Sequence, residues 1–417
     1  MIVCNAAEAG FDEARLIKLT NHLQSKYVDA GRLAHVQFLL SRDERPVVEY
    51  WSGDARADGT ALQTDSLFRI ASMTKPITTV AAMMLWEEGL LALEDPVTKY
   101  LPEFERLGVY AGGDAETGFS TTPLQRPMQV IDLMRHTSGL TYGLQQRTPA
   151  DAVYRQFDLD AFQQQRDADA FIAALSEIPL EFQPGEWWNY SVSTDVLGVI
   201  VQRIAGMPLH QFYAERIFSP LGMIDTAFDI APDKTARLTD AWQFARGKGK
   251  TLFDRGAHSR WRKLAPLQSG GGGLISSAAD YHRFCRMLLR GGELDGARLL
   301  SPSTLQLMTR NHISGGRDLA TASQSMFSES SNSGVGFGLG FAVTMDPGAA
   351  MSNGTAGDFY WGGVFSTFFF IDPVEKLIAI LMTQLMPSSV YPIRRELKTM
   401  IYSALVDRRG GSRIYGN

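Results

Sequence analysis

The sequence predicts an α/β fold: one antiparallel sheet built from both ends of the chain, sandwiched by N- and C-terminal helices, with a mostly helical second region inserted between. Three observations carry this. The chain opens on an amphipathic helix and a hairpin, it closes on strand-like runs and a helix, and from about 90 to 265 its apolar residues recur mainly at helical spacing. At 417 residues it is long for one compact core, so the expected division is 1–89 with 266–417 as the sandwich and 90–265 as the helical region.

Each element has a local reason. Residues 11–29 place Phe11, Ala14, Leu16, Leu19 and Leu23 on one helical face. Val36 to Leu40 and Val47 to Trp51 flank the polar turn Arg42-Asp43-Glu44-Arg45-Pro46, which reads as a hairpin. Val80, Met83, Met84 and Glu87 follow at helical spacing and Gly89 stops that helix. In the middle region, 130–136, 168–176, 194–205 and 209–217 read as helices between Pro- and Gly-marked loops. Ser269-Gly270-Gly271-Gly272-Gly273-Leu274 is a tight turn; it lacks the Gly-Lys-Ser/Thr of a phosphate loop. Ser277-x-x-Asp280 is a capping box for a helix carrying Phe284, Met287 and Leu288. The Ser-rich stretch 315–335 predicts a mobile loop. Strands are expected at Gly338 to Met345, Phe359 to Ile371 and Leu377 to Met382, then a helix over 392–406 with Ile393, Leu397, Ile401 and Leu405 on one face.

Composition excludes several classes of function. A net charge of −5 gives no basic surface for nucleic acid or anionic lipid. No apolar run approaches the roughly 20 residues that span a bilayer. The start, Met1-Ile2-Val3-Cys4-Asn5-Ala6, lacks the pattern of a secretory signal. Cys4 and Cys285 are expected to stay unpaired, and with no signal this points to the cytoplasm. The seven histidines are scattered, so neither a metal nor a cofactor is expected.

Ser72-Met73-Thr74-Lys75 is the only Ser-x-x-Lys in the chain. With 30 serines and 10 lysines in 417 residues, roughly 0.7 such matches arise by chance, so context must decide. The apolar approach Ser66 to Ala71 and Pro76, tolerable only in a first helical turn, place Ser72 at a helix start. There a lysine three residues on shares the serine's face, and free amides can stabilise an oxyanion. Tyr190, in Pro184-Gly185-Glu186-Trp187-Trp188-Asn189-Tyr190-Ser191, is a candidate partner: a nearby ammonium would favour its phenolate. Trp361-Gly362-Gly363-Val364 opens a strand whose glycines allow close backbone approach, with the Val364 amide as a candidate donor. No Gly-x-Ser-x-Gly occurs, which disfavours a nucleophile-elbow triad and leaves His136 a structural role.

These segments, with Arg135-His136-Thr137-Ser138-Gly139-Leu140, Pro220-Leu221-Gly222-Met223 and Gly272-Gly273-Leu274, occur in an order and over a span that resembles the family VIII carboxylesterases. Those esterases are similar to class C β-lactamases and penicillin-binding proteins. The resemblance implies a β-lactamase-like fold with its site at the junction of the two regions. By position it implies Ser72 as nucleophile, Lys75 and Tyr190 as its base pair, the amides of Ser72 and Val364 as the oxyanion hole, and Trp361, Gly362 and Gly363 against the substrate. Two departures matter. Val192 stands where the lactamases have the Asn of Tyr-x-Asn, and Trp361-Gly362-Gly363 stands for Lys-Thr-Gly. Losing that lysine removes a charge-assisted contact to an anionic lactam, worth roughly 1.5–3 kcal/mol if desolvated. The expected activity is therefore a serine carboxylesterase acting on small, short-chain acyl esters, with weak cephalosporin hydrolysis beside it. The alternatives are an acyltransferase on the same acyl-enzyme, a β-lactamase or D-aminopeptidase-like hydrolase, and a non-catalytic binding protein that keeps the fold. The intact Ser72, Lys75 and Tyr190 speak against the last.

Overall fold

The computed structural model describes residues 1–323 and 332–409. The first helix, α1 (Glu13–His22), leads through a π-turn at Leu23–Asp29 into the hairpin of β1 (His35–Arg42) and β2 (Arg45–Gly53). Then come α2 (Thr74–Glu87), α3 (Ser193–Ala205) and α4 (Ala278–Leu289). The end of the chain supplies β3 (Val335–Phe337), β4 (Ala342–Thr344), β5 (Phe359–Gly362), β6 (Phe368–Asp372), β7 (Leu377–Met382) and α5 (Ile393–Ala404). These seven strands form one sheet in the order β3-β4-β5-β6-β7-β1-β2, antiparallel throughout. The two ends of the chain meet where β7 pairs with β1, Phe38 opposite Leu381 and Leu40 opposite Ala379.

Strand periodicity explains the layering. Phe38, Leu40, Phe368, Phe370, Leu377 and Leu381 face α1 and α5, packing with Leu16, Leu19, Leu397 and Ile401. Their neighbours Leu39, Phe369, Ile371, Ile378 and Ile380 face the other way, into a core shared with α2, α3 and α4. Because both faces are covered, the strands read as nearly continuous apolar runs rather than clean alternations.

Some expectations are corrected. The run expected as one strand from Phe359 to Ile371 is two, β5 and β6, joined by a reversal at 363–367. Gly363 N–H donates to Thr367 O at 2.9 Å and Ser366 takes a left-handed φ of 66°. The strand expected at Gly338 to Met345 is only β4, because Gly340, at φ 88°, turns the chain back onto β3. The region 90–265 holds two hairpins beside its helices, Val109–Asp114 with Gly118–Thr122 and Ala241–Ala245 with Gly249–Asp254. Glycines at 112, 113, 118 and 249 suppress the apolar alternation that would have announced them. The helix expected at 209–217 is Leu209–Tyr213 continued by a π-turn, Ala214–Phe218. Ser277 caps α4, accepting from Asp280 N–H, but Asp280 turns its carboxylate to Asp225 N–H and Thr226, so the box is half formed. Of the stretch expected as a mobile loop, Leu319–Ala322 is helical and 324–331 lies outside the described residues. Cys285 is a buried free thiol and Cys4 an exposed one. No helix among the described residues is long and apolar enough to cross a membrane.

One histidine lies in the sheet and another bonds to it. His282 on α4 shares a 2.8 Å hydrogen bond with Ser41 on β1, and His35 of β1 bonds Asp54 O at 2.8 Å. Burial pushes both down to about 4. The unfolded chain, with histidines near 6.5, therefore binds protons that the folded one does not. Stability should be intact above about pH 6.5 and should decline toward pH 4, at up to about 1.4 kcal/mol per pH unit for each histidine. Urea denaturation at stepped pH checks the slope, and His282→Gln should remove one histidine's share of it.

Candidate active site

Ser72 lies in a short 3-10 turn, Ala71–Met73, that runs straight into α2. Ala71 holds a left-handed φ of 44°, a conformation costing about 1–3 kcal/mol for a non-glycine residue. The surroundings fix it: Ile70 N–H donates to Leu274 O at 3.1 Å, and Leu274 N–H donates to Thr74 Oγ1 at 3.2 Å. The glycine-rich turn after Ser269 thus lies along the start of α2. It must be glycine-rich because a Cβ on Gly270 would meet Thr194 O at 2.8 Å and one on Gly271 would meet the Asp195 carboxylate at 2.3 Å.

Lys75, three residues on, is 1% exposed. Its Nζ donates to Gly271 O at 2.6 Å, to Tyr142 OH at 3.0 Å and to Ser72 Oγ at 3.3 Å. An ammonium has three donors and here has three acceptors, one of them the Ser72 hydroxyl. The ring of Tyr190 covers it, with Nζ 4.6 Å from the ring centroid. The contact is with the ring face; the phenol oxygen that receives a Lys75 proton is that of Tyr142. Tyr190 OH instead accepts a long bond, 3.4 Å, from Trp361 Nε1. The Tyr190 ring also meets Tyr142 at 5.3 Å and Trp361 at 5.4 Å between centroids, and Gln145 Nε2 holds its backbone carbonyl at 3.0 Å.

Two residues that the sequence reading missed complete this cluster. Tyr142 follows Gly139-Leu140 by two positions, and burial, then the charges of Asp195 and Tyr190, hold its phenol well above the ordinary range. Asp195, in the first turn of α3, accepts from Ser269 Oγ at 2.5 Å and Gly271 N–H at 3.1 Å. Burial raises its carboxyl above the usual carboxylate range, although Lys75 pulls the other way. The signal for Asp195 was its place five residues after Tyr190 at a helix start; Tyr142 carried none beyond adjacency to a motif.

His136 is buried, at a left-handed φ of 57°, with Nδ1 3.3 Å from Ser191 Oγ and its ring 5.0 Å from that of Tyr190. Burial and the nearby Lys75 charge hold it well below 6.5, so it is a neutral spacer behind Tyr190.

The end of β5 closes the site. Gly363 lies so close to the residue before Ala71 that a Cβ on it would meet Ile70 O at 2.4 Å, and Thr367 Oγ1 donates to the same carbonyl at 3.3 Å. The segments carrying the amides of Ser72 and Val364 are therefore packed against each other. The Val364 amide finds no acceptor among the described residues. Ser72, Tyr142, Tyr190, Trp361, Val364 and Phe162 line one cavity of about 460 Å³. Trp188 also lines it, whereas Trp187 stacks under Arg317, 5.2 Å from its ring. Among the described residues no three His, Cys, Asp or Glu side chains converge as metal ligands would.

Tyr142→Phe removes one of the three Lys75 acceptors and leaves a buried charged donor unmatched. The expected cost is about 1–3 kcal/mol of stability. In a Lys75→Met background the same change should cost much less, and a double-mutant cycle by urea denaturation measures the coupling.

The Beta-lactamase family model matches residues 20–399. Protein Rv1367c of Mycobacterium tuberculosis is 37% identical over 373 residues, covering 86% of this chain and 88% of its own. Esterase EstB of Burkholderia gladioli is 33% identical over 343 residues, 79% of this chain and 80% of its own. Among solved structures, EstCE1, described as a hydrolase with promiscuous acyltransferase activity, superposes with a TM-score of 0.76 at 24% identity, over 94% of this chain and 99% of its own.

Proposed function

The chain belongs to the Beta-lactamase family, among the relatives that include family VIII esterases, and from that premise we propose that it is a serine carboxylesterase acting through an acyl-enzyme on Ser72. One observation carries the reading: Ser72 Oγ stands 3.3 Å from Lys75 Nζ in the cavity that Tyr190, Trp361 and Val364 line. Ser72 Oγ attacks the ester carbonyl. Its proton passes to the Lys75–Tyr190 pair, which acts as a unit and accepts it in the form that holds one proton fewer than an ammonium beside a phenol. The carbonyl oxygen, negative in the tetrahedral intermediate, takes hydrogen bonds from the Ser72 and Val364 amides. The same pair returns the proton to the leaving alcohol, then activates the water that releases the acid. With an indole at 361 where a cation would hold a lactam's carboxylate, neutral esters are the preferred substrates, and cephalosporins are hydrolysed weakly.

The cavity, about 460 Å³, is larger than a short acyl chain and lies within the range of drug-sized ligands. We therefore place a short acyl group beside Ser72 and a bulkier alcohol toward the mouth. The same spare volume supports a second reading, acyl transfer to an alcohol, which also accords with the likeness to EstCE1.

Ser72→Ala should lower kcat on p-nitrophenyl butyrate by at least about 10³-fold, and Tyr190→Phe by about 10²–10⁴-fold with KM little changed. Because His136 stays neutral, the pH profile of kcat/KM should show no inflection near 6.5. Retained turnover in Ser72→Ala would end the reading. Product analysis with added 1-butanol should show free acid as the main product; butyl ester in excess would make transfer the primary activity.

A further inference from the structure

Arg394, outside the cluster around Ser72, reaches the backbone beside it. Arg394, on the first turn of α5, passes along the end of β5 and donates through Nη2 to Gly363 O and, at 2.9 Å, to Thr367 O. These carbonyls bracket the reversal between β5 and β6. The Gly363 carbonyl belongs to the same peptide unit as the Val364 N–H. It also accepts from Ser366 N–H at 3.1 Å.

Gly362 makes this reach possible. A Cβ there would lie 2.7 Å from Cζ of Arg394 and 2.8 Å from Thr367 O. Its backbone is not left-handed, so glycine is needed for space and not for conformation. The ring of Phe368, 5.8 Å from Cζ, supports the guanidinium.

We infer that Arg394 is a positioning residue that fixes and polarises the Gly363–Val364 peptide, making the Val364 N–H a stronger oxyanion donor than an ordinary amide. A guanidinium on a carbonyl oxygen draws electron density from the peptide nitrogen, so the N–H at the other end of the unit gains donor strength. The gain is largest when the oxygen it faces turns negative, which is the condition for lowering a barrier rather than tightening substrate binding. The second carbonyl contact, to Thr367, holds the reversal so that the amide is aimed before substrate arrives. Gly362 and Gly363 then have separate tasks: the first admits the guanidinium, and the second lets the strand end abut Ile70. The inference rests on the acyl-enzyme reading above.

The test uses the whole protein and a neutral ester, so that no substrate charge meets the arginine. Arg394→Met should lower kcat on p-nitrophenyl butyrate about tenfold with KM within about twofold, less than deletion of a whole oxyanion donor. Arg394→Gln, which keeps a neutral donor, should fall between. Gly362→Ala, which displaces the guanidinium without removing it, should shift kcat in the same direction. With a slowly released pivaloyl group on Ser72, the infrared band of the acyl carbonyl should move to higher wavenumber in Arg394→Met, because a weaker donor polarises it less. Wild-type kcat and an unmoved band overturn the inference, as does a loss confined to KM or to melting temperature. If Arg394→Met does not fold, Arg394→Gln decides by the same two readings. Failure of the wild-type protein to acylate at Ser72 overturns the reading beneath the inference; acylation with an unmoved band overturns the inference alone.

Discussion

A buried ammonium has to be given three acceptors, and the region around Ser72 is organised by that demand. Lys75 is 1% exposed, and leaving even one of its donors unmatched would cost about 1–3 kcal/mol. The acceptors come from three places in the chain: the Ser72 hydroxyl on the preceding turn, the Tyr142 phenol from the helical region, and the Gly271 carbonyl from the glycine-rich turn. Binding them draws the start of α2, the loop after Gly139 and the turn before Leu274 to one point. The ring of Tyr190 then closes over the cation from the cavity side.

The opposite wall meets a different constraint, steric rather than electrostatic. In the oxyanion hole proposed for Ser72 and Val364, two amides face one oxygen, which needs β5 to end against the backbone that precedes Ser72. Gly363 permits that contact, and Thr367 ties it to Ile70 O. The reversal between β5 and β6 is what leaves the Val364 amide free of a strand partner. A single continuous strand from Phe359 to Ile371 would have placed residue 364 within the sheet ladder.

What the sequence shows directly is what local physics governs. Ser72 and Lys75 are three residues apart on one helix, so their meeting follows from the helical repeat. β1, β2 and β7 are apolar runs that the sequence shows, and the joining of the chain's two ends follows from their order; β3, only three residues long, was not read as a strand. Tyr190 and Trp361 were legible only as parts of a motif set that resembles known esterases. Tyr142 and Arg394 were not legible at all, and Asp195 only through its place after Tyr190 at a helix start. Each acts across a large separation, 67 residues for Lys75 with Tyr142 and 76 for Asp195 with Gly271, and nothing in spacing or periodicity reports such a contact. Tyr190 lies beside Lys75, but a tyrosine can offer a cation its face as well as its oxygen, and here Tyr142 supplies the oxygen. The two hairpins at 109–122 and 241–254 escaped notice because their glycines and exposed faces leave little apolar alternation to read.

The central claim is that Ser72 carries the acyl group. Its most direct test is the mass of the intact protein after brief mixing with excess p-nitrophenyl butyrate and an acid quench, followed by peptide mapping. One butyryl adduct confined to the peptide containing Ser72, formed and lost at the rate of turnover, is the predicted result. Turnover without an adduct, or an adduct on any other residue, would contradict it.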